Sequence, residues 1–154
     1  MATDGARVCT TPLFGPIVEL RGPFRSYPEL SAFFNERHRL ALIYTNHLDP
    51  AAAEETCRSD PFDDSQPLVL THNDINMRNI IVGDDGRLWL VDWAWAGFWP
   101  PWFEYLATKI QNEYEAELLQ RNDPLWDTLI PFICRPYYRQ EQWYWRASAA
   151  MDWV

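Results

Sequence analysis

Lysine is almost missing from this sequence: Lys109 stands alone, and Lys and Arg together number 13 against 22 Asp and Glu. With a formal net charge of −9 there is no supply of clustered cations to neutralise phosphates, which excludes non-specific nucleic-acid binding. Net acidity serves solubility first, and attraction of cationic small molecules stays open as the alternative. The three cysteines, Cys9, Cys57 and Cys134, include no close pair, so neither a disulfide framework nor a zinc site is expected. All three read as ordinary thiols in a reducing, cytoplasmic setting. The first residues lack the apolar core of a secretory signal, and no charge-free run is long enough to span a bilayer. No membrane partner is therefore expected. The six glycines form no phosphate-covering loop pattern.

Aromatic residues are abundant. Nine Trp, seven Tyr and eight Phe in 154 residues, 47% of them hydrophobic, provide for one sizeable core, and the length suits one domain better than two. Each buried Trp or Tyr also needs a partner for its polar atom, so the core is expected to carry polar anchors.

Residues 1–25 hold Gly5, Pro12, Gly15, Pro16, Gly22 and Pro23, a density of breakers that predicts an irregular lead-in. Ser26 with Glu29 three residues on resembles a capping box. Leu30, Phe33, Phe34, Arg37, Ala41 and Tyr44 then share one helical stripe that only Arg37 interrupts. The acidic stretch from Asp49 to Pro67 is bounded by prolines and predicts a surface connection with room for one short helix. Leu68 to Leu70, Asn79 to Val82 and Arg87 to Val91 are strand candidates, the last two joined as a hairpin by Gly83-Asp84-Asp85-Gly86. Beyond Pro101, Phe103, Leu106, Ile110, Tyr114 and Leu118 predict a helix. Asp123-Pro124 supplies the N-cap and first turn of another, and Pro136 separates that from a final aromatic segment, Tyr137 to Trp153.

The chemistry gathers around the hairpin. His72, Asp74 and Asn79 read HxDxxxxN, and Asp92 follows the third strand, thirteen positions after Asn79. Phosphoryl transfer needs a carboxylate that orients an attacking hydroxyl and accepts its proton, and hard oxygen ligands that hold magnesium against nucleotide phosphates. Asp74, Asn79 and Asp92 are of these types. The competing reading is a hairpin whose Asn and Asp side chains only cap turns.

His72-Asn73-Asp74, Asn79-Ile80-Ile81-Val82 and Val91-Asp92-Trp93 resemble the catalytic and metal-binding loops of the kinase-like phosphotransferases, specifically the aminoglycoside phosphotransferase and choline kinase group. Trp93 after the metal-loop Asp is similar to the small-molecule branch rather than to protein kinases, which carry DFG. The stretches Gly22 to Ala41 and Trp95 to Leu106 resemble fungal members. The resemblance implies an α+β fold, the protein-kinase-like C-terminal lobe, mostly helical with a small hairpin carrying the metal-binding loop. Residues 26–154 would make up that lobe, with 1–25 near the lobe boundary. It also implies Asp74 as general base or hydroxyl-orienting carboxylate, Asn79 and Asp92 as magnesium and ATP-phosphate ligands, and His72 as a brace of the catalytic loop. Arg78 reads as a solvated loop residue or the partner of a nearby carboxylate, with phosphate contact as the lesser alternative. The sequence departs from the family pattern at Asn73, where Gly is usual, at Asn76, where a second His is common, and at Ala94, where Glu is frequent.

In the family, a Gly-rich loop and a strand Lys from an N-terminal lobe complete the nucleotide site. Lys109 lies after Asp92, in the predicted helix, so it does not match that strand Lys. The expectation is a C-lobe without its N-lobe: a truncated phosphotransferase that transfers the ATP γ-phosphoryl group to a small-molecule hydroxyl only when another polypeptide completes it, or a piece of a longer enzyme. The alternative is a non-catalytic descendant that binds a small molecule or protein through Trp95, Phe98, Trp99, Trp102 and Phe103. Those rings would otherwise be core.

Overall fold

A computed structural model describes residues 11–120 and 123–151. The elements in chain order are α1 (Tyr27–Tyr44), α2 (Pro50–Ser59), β1 (Val69–Thr71), β2 (Ile80–Val82), β3 (Leu88–Leu90), β4 (Gly97–Trp99), α3 (Trp102–Leu119), α4 (Pro124–Cys134) and α5 (Tyr138–Ser148), with short 3-10 turns between several of them. The chain is α+β, and its contacts divide it into two compact units. Among described residues, one holds Phe14–Gln66 and the chain from Tyr138, the other Thr11–Leu13 and Pro67–Tyr137.

In the first unit α1 packs against α2 and α5. Its start is fixed by Ser26, whose Oγ accepts the Glu29 N–H at 3.3 Å. The Glu29 carboxylate reaches one residue further back than a capping box requires, to the Arg25 N–H. The buried face of α1 is Leu30, Ser31, Phe34, His38, Ala41 and Leu42. Tyr44, expected on the stripe, is exposed. Arg37 lays its guanidinium over the Phe33 ring, 5.3 Å from its centre, and also donates to the Ala150 carbonyl, so the cation at the edge of this face is placed without being buried alone. Phe34 stacks on Phe62 at 5.1 Å, and Trp143 of α5 meets Phe62 edge-on at 5.6 Å. Each large ring buried this way contributes about 1.5–3 kcal/mol. The expected polar anchor is there too, since the Trp143 indole N–H donates to the Asp60 carbonyl at 2.8 Å.

The short helix expected between Asp49 and Pro67 is α2, capped by Asp49, which accepts from the N–H groups of Ala51 and Ala52. Its Cys57 is buried against His38 of α1, Sγ to Nδ1 3.8 Å. Burial raises the Cys57 thiol pKa, and in the second unit it pushes Cys134 up to about 11, so both are poor nucleophiles. Cys9 lies outside the described residues, as do residues 1–10 of the lead-in and Trp153.

In the second unit the hairpin forms as expected, β2 against β3, with Ile80 opposite Leu90, Ile81 opposite Trp89 and Val82 opposite Leu88. Gly86 takes a φ of 77° at the turn, a conformation that favours glycine. A second pairing was not expected: β1 runs antiparallel to β4, with Leu70 opposite Phe98. The aromatic run thus splits its duties. Trp102 and Phe103 are buried in α3, Trp99 stacks on Phe103 at 5.7 Å, and Phe98 is 67% exposed. Asp123 caps α4 through the Leu125 N–H at 2.9 Å, as the Asp-Pro pair predicts. Among the described residues no helix is long and apolar enough to cross a membrane.

His38 is 1% exposed, and its Nε2 is buried without a hydrogen-bond partner. Burial lowers its pKa from 6.5, the nearby Arg146 lowers it further and Asp60 opposes. The unfolded chain therefore takes up this proton first as pH falls, so the contribution to stability is full above about 6.5 and is lost as pH drops towards the folded value. The urea midpoint should fall over that window, and His38→Gln should flatten the fall. An unchanged slope in the variant would show that the imidazole does not titrate against folding.

Candidate functional site

Where β1 ends at Thr71, the chain turns sharply and one carboxylate holds the turn. Glu104, in the first turn of α3, accepts the N–H of His72 with one oxygen and the N–H of Asn73 with the other, the latter at 2.8 Å. Both donors belong to buried residues. Burial raises the Glu104 pKa, while the two N–H groups oppose that shift by favouring the charge. Asn73 has φ 61°, the left-handed region that Asn tolerates better than most residues, so the turn survives without the glycine usual there.

Asp74 follows. Its N–H donates to His72 Nδ1 at 3.2 Å, which makes Nδ1 the acceptor and leaves the ring proton on Nε2. That proton faces the Val91 carbonyl at 2.9 Å. His72 thus ties the loop after β1 to the end of β3, and its ring also sits edge-on to Trp93 at 4.7 Å.

The Asp74 carboxylate receives one amide on each oxygen. Asn76 Nδ2 donates to Oδ1 and Asn79 Nδ2 to Oδ2, each at 2.9 Å, and both amides also reach the Asp74 carbonyl. Burial raises the Asp74 pKa, opposed in turn by Asn79, Asn76, Arg78 and His72. Because only an NH₂ group can face these acceptors, the Asn79 side-chain oxygen is turned away from Asp74.

Asn79 closes a 3-10 turn, Met77–Asn79, just before β2, and its carbonyl accepts the Val91 N–H at 2.9 Å. Val91 is therefore held on both sides, by Asn79 through its N–H and by His72 through its carbonyl. Asp92 comes next, at φ 64°, exposed, and its carboxylate makes no hydrogen bond among the described residues. The structure thus joins His72, Asp74 and Asn79 in one hydrogen-bonded network and fixes Asp92 to it through the backbone.

The donor set suits magnesium. Among the described residues no group of three or more His, Cys, Asp or Glu could hold a metal ion. An amide oxygen and a free carboxylate are hard donors, and magnesium commonly takes one or two protein ligands and fills the rest with phosphate oxygens and water.

Glu104 was not singled out from the sequence, and Asn76 stood out there only as a departure from the family pattern. A signal for Glu104 existed: it is a lone acid within Trp102, Phe103, Tyr105 and Leu106, where a carboxylate is costly unless it is paired. Arg78 resolves to the carboxylate reading, with its guanidinium 2.6 Å from Glu115. Ala94 is exposed.

Replacing Glu104 by Ala strands two buried N–H groups and should lower stability by roughly 2–4 kcal/mol. Glu117→Ala, at an exposed position of the same helix, should stay within about 0.5 kcal/mol. Urea denaturation of the two variants checks this, and equal costs would remove Glu104 from its bracing role.

No curated protein and no solved structure matches the chain. A family model does, that of the phosphotransferase enzyme family, over residues 15–131, which is well over half the sequence and spans the whole network from His72 to Glu104. The chain belongs to the phosphotransferase enzyme family.

Proposed function

We propose that these residues form the base and metal side of a kinase-like site that transfers the ATP γ-phosphoryl group to a hydroxyl of a small molecule. The observation that supports this reading is the direct bond from the Asn79 amide to the Asp74 carboxylate, which brings the proposed base beside the proposed metal ligand and turns the Asn79 side-chain oxygen away from Asp74. In this reading the acceptor hydroxyl donates to Asp74. As its oxygen forms a bond to the γ-phosphorus, Asp74 takes the proton, the bridging P–O bond breaks and ADP leaves. Burial makes Asp74 more basic than a surface carboxylate, while the amides of Asn76 and Asn79 favour the ionised form that a base requires. Magnesium, held by Asn79 and Asp92, would neutralise charge on the phosphates. His72 acts by position only, since both of its nitrogens are engaged with backbone groups.

A covering Gly-rich loop and a phosphate-contacting Lys would have to come from outside these 154 residues. These 154 residues by themselves are therefore expected to bind the nucleotide weakly and to turn over only when that wall is supplied. Exposed Phe98, opposite exposed Leu70, favours a second reading, an interaction protein that docks through this apolar pair.

Calorimetric titration with magnesium and ATP separates the two. Binding to the wild-type chain should disappear in Asp92→Ala and persist in Asp74→Asn, which touches no phosphate. With a complementing partner, Asp74→Asn should lower kcat by about 10²–10⁴-fold. If the wild type takes up no nucleotide, or Asp92→Ala binds as well as it does, the phosphotransferase reading falls and the docking reading gains.

A further inference from the structure

Asn76 is buried beside the Asp74 carboxylate, and it is itself held in place. Its Nδ2 donates to Asp74 Oδ1 at 2.9 Å and to the Asp74 carbonyl at 3.0 Å, while its Oδ1 accepts the Arg78 N–H at 3.0 Å and Arg78 Nε at 3.3 Å. A half-turn of that amide would set its oxygen against the carboxylate and its NH₂ against two donors. The two Arg78 donors therefore fix which end of Asn76 faces Asp74. An amide supplies two donors on one side and an acceptor with two lone pairs on the other, where the His common at this position in the family, when neutral, has one of each.

A half-exposed arginine loses rotamer freedom by staying at such a post, so something has to hold it there. Glu115 of α3 does. Its carboxylate meets Arg78 Nη2 at 2.6 Å, and Gln111, one turn earlier, donates to the same oxygen at 3.1 Å. Glu104 and Glu115 are eleven positions apart on α3, close to three full turns and about 16 Å, so they rise from one face of the helix. Glu104 takes the N–H groups of His72 and Asn73 at one end of the loop, and Glu115 takes Arg78 at the other. Asp74 lies between two clamps that share one helix. An ion pair whose arginine is half exposed adds little to global stability, so the Glu115 clamp serves geometry first.

We propose that Glu115 is a positioning residue for Asp74, acting through Arg78 and Asn76, and sets the orientation of the base without touching substrate or phosphate. Its part in phosphoryl transfer rests on the phosphotransferase reading above; the side-chain relay does not.

The test reads the Asn76 side chain in the full, isotope-labelled chain without nucleotide. Exchange of the Asn76 Nδ2 protons with water is measured by NMR, the resonances being assigned by their loss in Asn76→Ala. Glu115→Ala should quicken that exchange about tenfold, the loss of one charge-assisted hydrogen bond in the relay. Glu115→Gln keeps an acceptor for Arg78 and should recover most of the protection. Arg78→Glu combined with Glu115→Arg restores opposite charges but removes the Nε donor, so its exchange should stay as fast as in Glu115→Ala. Wild-type exchange in Glu115→Ala, no recovery in Glu115→Gln, or wild-type protection in the swapped pair overturns the proposal, as does a urea midpoint for Glu115→Ala that falls as far as that of Glu104→Ala. In the complemented enzyme Glu115→Ala should lower kcat about tenfold or more and leave the KM for ATP unchanged. If Asp74→Asn abolishes turnover while Glu115→Ala keeps the full kcat, the relay is idle and the proposal falls. If the NMR results hold and Asp74→Asn leaves kcat unchanged, the relay stands and the phosphotransferase reading falls.

Discussion

Two successive backbone N–H groups, those of His72 and Asn73, point at one carboxylate, and the geometry of the loop depends on that arrangement. A chain leaving a strand and entering a left-handed residue has donors that no ladder can satisfy. Glu104 accepts both, and because it sits in the first turn of α3 it refers the loop to a helix whose neighbouring residues Trp102, Phe103, Tyr105 and Leu106 are buried. Helix N-termini favour negative charge, so the acid is stabilised from both sides. Once these donors are fixed, the Asp74 N–H falls onto His72 Nδ1, and the imidazole in turn selects its tautomer and reaches Val91.

The network then grades its carboxylates by environment. Glu104 is the most enclosed and meets backbone donors. Asp74 is half-buried and meets two side-chain amides, which orient it while leaving lone pairs unused. Asp92 stands in solvent with no hydrogen-bond donor on its carboxylate among the described residues. Three acids within one short stretch of fold thereby stand in three different environments: enclosed by backbone donors, half-buried between side-chain amides, and open to solvent. The amides of Asn76 and Asn79 favour the ionised form of Asp74, and the nearby guanidinium of Arg78 adds to them, in a chain with a single lysine.

Much of this was legible because it is local. Ser26 and Asp123 announce the starts of α1 and α4 through their own side chains, and the hairpin is declared by two apolar runs around a Gly-rich turn. The spacing of His72, Asp74, Asn79 and Asp92 was readable for the same reason. What escaped depends on tertiary partners. β4 is three residues long and exists by pairing with β1, across an interval no periodicity spans. The inner face of α1 includes Ser31 and His38, polar residues that an apolar pattern skips, and this turned the expected stripe towards exposed Tyr44. Glu104 lies about thirty positions from the donors it serves.

The hairpin has a further implication for how such sites vary between relatives. Asn79 and Asp92 stand at its open end, and their separation in space is set by the rung that joins the Asn79 carbonyl to the Val91 N–H. The Gly83 to Gly86 tip lies at the opposite end, exposed and remote from that rung. Paired lengthening or shortening of both strands at the tip would change the count between Asn79 and Asp92 yet leave their spatial relation untouched. The thirteen-residue interval is therefore incidental, and the invariant to look for in divergent sequences is the cross-strand partnership itself.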